Sequence, residues 1–245
     1  KTYYIEMSAD ANGKVAATWA TRVAPKTLKL ATQNLVGQST SVVLDYFSRI
    51  DVDVLCAQEC SGLSESDIQA QGLYVHTHSN NGQGKCSIIS RYPFSGITPN
   101  KYGAYIDLGE SIVVLVMNCH GAYFPYGPYQ LNGIDYKGFP ATNDVDYVVK
   151  VNKDKRQDMV DKLLEDFHSS TTPFVCLSGD FNEPSWLDWT EGALKAGLAS
   201  YVVQWPTTRS LWEGGIKGDA YRTIHPDPVT HPGFTWTPRP SEKDT

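Results

Sequence analysis

Five polar residues stand just past apolar runs in this chain of 245 residues. Asn34 closes LKLATQN, Glu59 closes DVDVLCAQE, His120 closes SIVVLVMNCH, and Asp180 and Asn182 follow PFVCLSG. Carboxylate and carboxamide oxygens are hard ligands that suit Mg2+, Mn2+ or Ca2+. Magnesium is typically held by one or two carboxylates and by a substrate's phosphate, with water completing its shell. An imidazole beside such a cation can donate to a phosphoryl oxygen or a leaving group. Together these groups are the inventory of metal-assisted phosphate ester hydrolysis. Taken singly, each has a plainer reading. An Asn after a strand forms turns, a Glu there is solvated, a His is structural, and Asp180-Phe181-Asn182 can cap the next helix. The coincidence of all of them at four strand ends outweighs those readings.

The elements that must position them alternate along the chain. LKLATQNL (28–35) alternates apolar and polar residues and reads as a strand, and STSVVLDYFSRI (39–50) as a helix with Ser/Thr caps. Residues 51–60 form a buried strand, SESDIQAQG a short helix with a glycine stop, YVHTH a strand, NNGQG a turn, and KCSIISR (85–91) another strand. Residues 111–120 are strongly apolar. Residues 121–151 lack a period and are expected to be a loop, which at that length is usually functional. An amphipathic helix is expected over 154–170, and a further helix over 185–197 after the strand PFVCLSGD. Residues 1–26 stand apart as an N-terminal extension or the tail of a preceding domain, with β-like pieces at 2–7 and 15–23 around an Asp10-Ala11-Asn12-Gly13 turn; they also fit a first hairpin of the main domain, which would run over 27–245. Strands followed by helices, several of them fully apolar, indicate an α/β or α+β sandwich with covered sheets. In open α/β sheets a site gathers beyond the strand ends.

Composition narrows the function classes. Net charge is −6, which argues against a protein that coats nucleic acid by charge alone but not against one that cleaves it with a metal. The cysteines, Cys56, Cys60, Cys86, Cys119 and Cys176, include no CxxC pair, so a structural zinc site is not expected. Cys56, Cys119 and Cys176 read as buried small hydrophobes. Cys60 and Cys86 flank loops, and a bridge between them is the alternative that favours a secreted or extracytoplasmic setting. No apolar run approaches the ~18 residues of a membrane-spanning helix.

The segments LKLATQNL, DVDVLCAQE, GKCSIISRYPF, MNCH, LSGDFNEPS and PGFTWTP occur in an order that resembles the endonuclease/exonuclease/phosphatase superfamily, the fold of deoxyribonuclease I and exonuclease III, over roughly residues 28 to 240. The resemblance implies a four-layer α/β sandwich, two mixed sheets packed face to face with helices outside. It implies a metal-dependent phosphoester hydrolase, most simply a phosphodiesterase; a phosphomonoesterase or phospholipase-like enzyme and a non-catalytic phosphate-binding module are the alternatives. By matching motif, Glu59 resembles the principal ligand of Mg2+ (or Mn2+ or Ca2+), with Asn34 the second polar group at the metal. His120 resembles the histidine that stabilises phosphoryl oxygens or protonates the leaving oxygen. Asp180 resembles the residue that orients or deprotonates the attacking water, and Asn182 the amide that contacts phosphate.

The family pattern continues with an Asp-bearing strand and a terminal Ser-Asp-His, and neither is found here. The last strands are therefore expected to be missing from this chain. The completing residues would lie on a second polypeptide, lie on a part of the protein outside this chain, or be absent from a binding protein without turnover. For the substrate, nucleic acid or a small phosphodiester, the loop HGAYFPYGPYQLNGIDY brings aromatics directly after His120. Tyr126 and Tyr129 are candidate contacts there, and Trp236 from the far end of the chain, since aromatic faces stack bases or cover sugar and lipid. Rigidifying the loop and packing a core are the plainer roles of these rings. Lys150, Lys153, Lys155 and Arg156 are expected to solvate a helix start.

Overall fold

Every second residue of LKLATQN faces one way, and Leu28 and Leu30 are each 1% exposed. The same alternation recurs in three other runs and builds one core from two sheets. In the computed structural model, which describes residues 3–9, 26–79 and 84–236, strands β1 (Tyr3–Ala9), β2 (Lys26–Asn34), β3 (Val54–Gln58), β4 (Tyr74–Ser79) and β5 (Lys85–Ser90) form a sheet in the order β1-β2-β3-β5-β4. Strands β6 (Phe94–Ile97), β7 (Gly103–Asp107), β8 (Val113–His120) and β9 (Val175–Asp180) form a second sheet in sequence order. β2 runs parallel to β3 and β8 parallel to β9, and the other pairs are antiparallel. Both sheets are thus mixed, and each parallel pair is joined by a helical crossover, as parallel strands require.

The sheets meet face to face. Leu28, Leu30, Val54, Cys56 and Ile88 of the first pack on Ala104, Ile106, Val114, Val116 and Cys176 of the second. On its other face the first sheet is covered by α1 (Thr40–Ile50) and α2 (Glu65–Ala70): Val43, Phe47 and Ile68 meet Ala31, Leu55, Ala57 and Ile89. β3 is buried at every position because it serves both layers. This is the sandwich the motifs imply. The opening stretch contributes β1, paired along its whole length with β2. The expected strand over 15–23, its turn and the turn at 80–83 lie outside the described residues.

The chain divides into two compact units. The first, Lys1–His120 with Glu165–Asp180, holds both sheets. The second is Gly121–Leu164 with Phe181–Thr245. It contains α3 (Gly127–Leu131), most of α4 (Val145–His168), α5 (Glu191–Lys195), α6 (Pro206–Glu213) and α7 (Ala220–Ile224). Trp189, Ala193, Val203 and Trp205 pack with Leu131 and Val148 as its core.

Several expectations are corrected here. The loop over 121–151 contains α3, and α4 begins at Val145, nine residues before the amphipathic pattern. Asp144 starts it by accepting from the Tyr147 N–H, while Val145, Val148, Val149 and Val151 blur the helical period because β-branched residues favour strands. The helix expected over 185–197 shrinks to α5, capped by Thr190. The β6–β7 hairpin is not among the elements expected above. Asp166 organises its turn, accepting from the Asn100 N–H (2.7 Å) and the Tyr102 N–H (3.1 Å). All five cysteines are free and buried, so Cys60 and Cys86 form no bridge. Among the described residues, no helix is long and apolar enough to cross a membrane, and no strand follows β9.

Candidate active site

The inward stripe of each inner strand changes character toward the same end. β2 reads Leu28, Leu30, Thr32, Asn34. β8 reads Val114, Val116, Asn118, His120. The β9 stripe reads Phe174, Cys176, Ser178, Asp180, and β3 reads Val54, Cys56, Gln58. Two apolar residues, then a small or amide side chain, then an ionisable or amide group bring the polar tips together by register alone. Asn34 pairs with Gln58 across β2 and β3, and His120 pairs with Asp180 across β8 and β9.

Glu59 is the residue out of phase. It follows Gln58 directly, so a continued strand would aim it at the opposite face. Its backbone instead turns left-handed, with φ +58°. A non-glycine residue there costs about 1 kcal/mol or more and persists only where the surroundings impose it. Gly37 N–H donates to the Glu59 carbonyl (3.0 Å), and Leu35 N–H to that of Gln58 (3.1 Å). The turn brings Glu59 to the site. Gly179 has a different task. A Cβ on it would lie 2.2 Å from the Cys119 carbonyl oxygen, so only glycine lets β9 approach β8 and set Asp180 beside His120.

Asn34, Glu59, His120 and Asp180 meet within the first unit. Asn34 Nδ2 donates to Glu59 Oε1 (2.8 Å) and to Asp180 Oδ2 (3.0 Å). Its Oδ1 accepts from Val36 N–H (3.1 Å). His120 Nε2 lies 3.8 Å and 3.7 Å from the same two carboxylate oxygens. The imidazole is 4% exposed, whereas the Glu59 and Asp180 side chains are 38% and 31% exposed. A buried imidazole therefore forms the floor and two accessible carboxylates the rim.

These donors fit a hard divalent cation. They offer two carboxylates, ligand types that suit Mg2+, while Asn34 turns its Nδ2 toward those carboxylates and its Oδ1 toward Val36 N–H. Among the described residues, no group of three or more His, Cys, Asp or Glu side chains forms a metal cage. An open site of this kind suits a cation that keeps several waters and takes substrate oxygens.

Asn182 belongs to the second unit. It also has a left-handed backbone (φ +49°), and its Nδ2 donates to the Gly121 carbonyl (3.0 Å). Tyr126, Tyr129 and Trp236 lie in the same unit. Tyr129 is buried and meets Tyr126 and Tyr136 edge-on, at ring separations of 4.8 and 5.3 Å. Trp236 is 55% exposed.

Sequence reasoning missed two features. Arg156 does not solvate a helix start. It is 1% exposed, and its guanidinium donates to the carbonyls of Ala122 (2.6 Å), Pro125 (3.0 Å) and Asn182 (2.9 Å) and to Asn152 Oδ1 (2.8 Å), with Glu183 3.9 Å away. Burial raises the Glu183 carboxyl above the usual range although Arg156 opposes that shift. The second is the pair Gln58 and Asn118, joined through their side-chain amides at 2.7 Å. Both amides were legible as polar residues in apolar runs, but their partnership was not.

Among known proteins, residues 32–244 match the model of the Endonuclease/Exonuclease/phosphatase family. An uncharacterised protein of Caenorhabditis elegans is 31% identical over 143 residues, which are 57% of this chain and 44% of that protein. The match thus spans less than half the length of that curated relative. Among solved structures, a 3′ phosphatase from Neisseria, NExo, bound to product DNA hairpin aligns with a TM-score of 0.50 at 15% identity, covering 82% of this chain and 76% of that one. A 3′-5′ exonuclease, NExo, from Neisseria meningitidis aligns at 0.49 and 17% identity (81% and 75% covered). An AP endonuclease from Archaeoglobus fulgidus aligns at 0.47 and 17% identity (82% and 76% covered). The first of these likenesses concerns the fold. None of the comparisons supports a second polypeptide.

Proposed function

Because the chain belongs to the Endonuclease/Exonuclease/phosphatase family, we propose that Asn34, Glu59, His120 and Asp180 hydrolyse a phosphoester, a diester in preference to a monoester, with a divalent cation such as Mg2+. The observation that carries this reading is the sharing of one pair of carboxylate oxygens, Glu59 Oε1 and Asp180 Oδ2, by Asn34 Nδ2 on one side and His120 Nε2 on the other. Glu59 would hold the cation, with Asn34 as the second polar group through its donation to Glu59 Oε1, and the cation would supply positive charge where the phosphoryl oxygens become more negative.

The spacing supports a division of roles between the other two groups. Attacking and leaving oxygens stand roughly in line on opposite sides of phosphorus. His120 and Asp180, 3.7 Å apart, are too close to flank it. Both therefore act on one side. Asp180 orients the attacking water and accepts its proton as the new P–O bond forms, His120 donates from Nε2 to a phosphoryl oxygen, and the ester P–O bond opposite the water breaks, its leaving oxygen taking a proton from solvent. Asn34 keeps the two carboxylates from drifting apart through its paired donations. In the second unit, Asn182 is the phosphate-contacting amide of this reading. Tyr126 and Trp236 are its substrate contacts, whereas Tyr129 supports Tyr126 from within the core.

Turnover of bis(p-nitrophenyl) phosphate and of p-nitrophenyl phosphate, each with Mg2+ and with EDTA, tests the reading. Diester turnover that needs the metal and disappears in Glu59→Ala is expected. Monoester turnover alone would make the protein a phosphatase, and phosphate binding without turnover would make it a binding module.

A further inference from the structure

One step below the candidate catalytic residues, the inward stripes carry Thr32, Gln58, Asn118 and Ser178. Gln58 is 1% exposed and Asn118 is fully buried. Gln58 Nε2 donates to Thr32 Oγ1 (3.1 Å), to the Cys56 carbonyl (3.0 Å) and, across the gap between the sheets, to Asn118 Oδ1 (2.7 Å). Asn118 Nδ2 returns the link. It donates to the carbonyls of Ala57 and Ser87, each at 3.0 Å. Those two residues face one another as the last pair of the β3–β5 ladder. A side chain from the second sheet therefore closes off a ladder of the first.

We propose that Gln58 and Asn118 are positioning residues, a neutral amide clasp that sets how far Glu59 stands from His120 and Asp180. Glu59 leaves the first sheet immediately after Gln58. His120 lies two residues beyond Asn118 on the same face of β8, and Asp180 is paired with His120. Below the clasp the facing side chains in the centre of the sandwich are apolar and attract without direction, tolerating sliding; the polar link from His76 Nε2 to the Lys101 carbonyl (2.8 Å) lies at the sheet edge, on β4. The amide pair is directional and buried, and a buried amide left unmatched is costly, so it admits one separation. It adds no net charge beneath the two carboxylates. The inference rests on the proposed site but not on its substrate.

The test uses the full chain carrying Gln58→Met with Asn118→Leu, apolar replacements of similar volume, and separately the milder Gln58→Asn, which shortens one arm by a methylene. A crystal structure of each gives the distance from Glu59 Oε1 to His120 Nε2, now 3.8 Å. Widening by ~1 Å in the double variant and by less in Gln58→Asn is expected. In Mg2+, kcat on bis(p-nitrophenyl) phosphate should fall about 100-fold for a misplacement of that size while KM holds. An unchanged distance overturns the assignment, and so does a widened one with kcat intact. If the double variant does not fold, Gln58→Asn decides alone by the same two readouts. If the wild-type protein turns over no ester, the phosphoesterase reading fails and the distance still decides the clasp.

Discussion

His120 and Asp180 face one another across neighbouring parallel strands, with Nε2 and Oδ2 3.7 Å apart. That proximity comes from register. β8 and β9 pair from Leu115 with Val175 up to His120 with Asp180, and Gly179 allows the close approach at the last step. The site is therefore an extension of the sheet, held by the same ladder that makes the core.

Glu59 should trade stability against activity. Glu59→Ala is expected to lower turnover by 100-fold or more, in the range for loss of a group that stabilises developing charge. Glu59→Gly should be equally inactive but more stable than Glu59→Ala by about 1 kcal/mol, because glycine accepts φ +58° without strain. Urea unfolding of the two variants measures the difference, and equal stabilities would refute the strain.

Acid should destabilise the first unit through His78. Burial and the neighbouring His76 lower its imidazole from the ordinary value to about 4. It is 5% exposed, and its ring meets Tyr102 edge-on. The folded state binds the proton less readily than the unfolded chain, so this contribution is complete above pH 6.5 and is lost as pH falls toward 4. The loss amounts to about 3 kcal/mol. His78→Phe should remove it. The stability gap between variant and wild type, measured by urea at pH 7 and pH 4, should shift by that amount in favour of the variant.

Arg156→Met should cost about 3–5 kcal/mol, because it leaves the Ala122, Pro125 and Asn182 carbonyls and the Glu183 carboxyl buried without their cation. Arg156→Lys should recover little, since an ammonium cannot reproduce the planar fork. Chemical unfolding followed by tryptophan fluorescence would register both, as Trp189 and Trp205 lie in the core of the same unit.

The aromatic residues should separate into packing and contact roles. Tyr129→Ala should destabilise by about 3 kcal/mol, as expected for emptying a buried aromatic site. Trp236→Ala should stay within about 0.5 kcal/mol of wild type because the ring is largely exposed. It should raise KM for a base-containing diester while kcat holds. A Trp236→Ala protein that unfolds early would place that ring in the core instead.

What the sequence determined by itself was local. Alternation along β2, β8 and β9 identifies the inward stripes, and the polar residue ending each stripe is legible as Asn34, His120 and Asp180 because side-chain direction in a strand follows a period of two. The helices α1 and α2 were legible from caps and spacing. The start of α4 was not, since its valines favour the strand that Asp144 overrides by capping. Tertiary structure decided everything that depends on partners distant in the chain. Glu59 reaches the site only because Gly37 and its neighbours hold a left-handed turn that its own residue type disfavours. Arg156 is buried only because three carbonyls from two separate loops converge on it. Gln58 finds Asn118 sixty residues away, and a hydrogen bond across two sheets leaves no period in either strand. Sequence specifies which groups a strand presents, and only the packed sheets specify which of them meet.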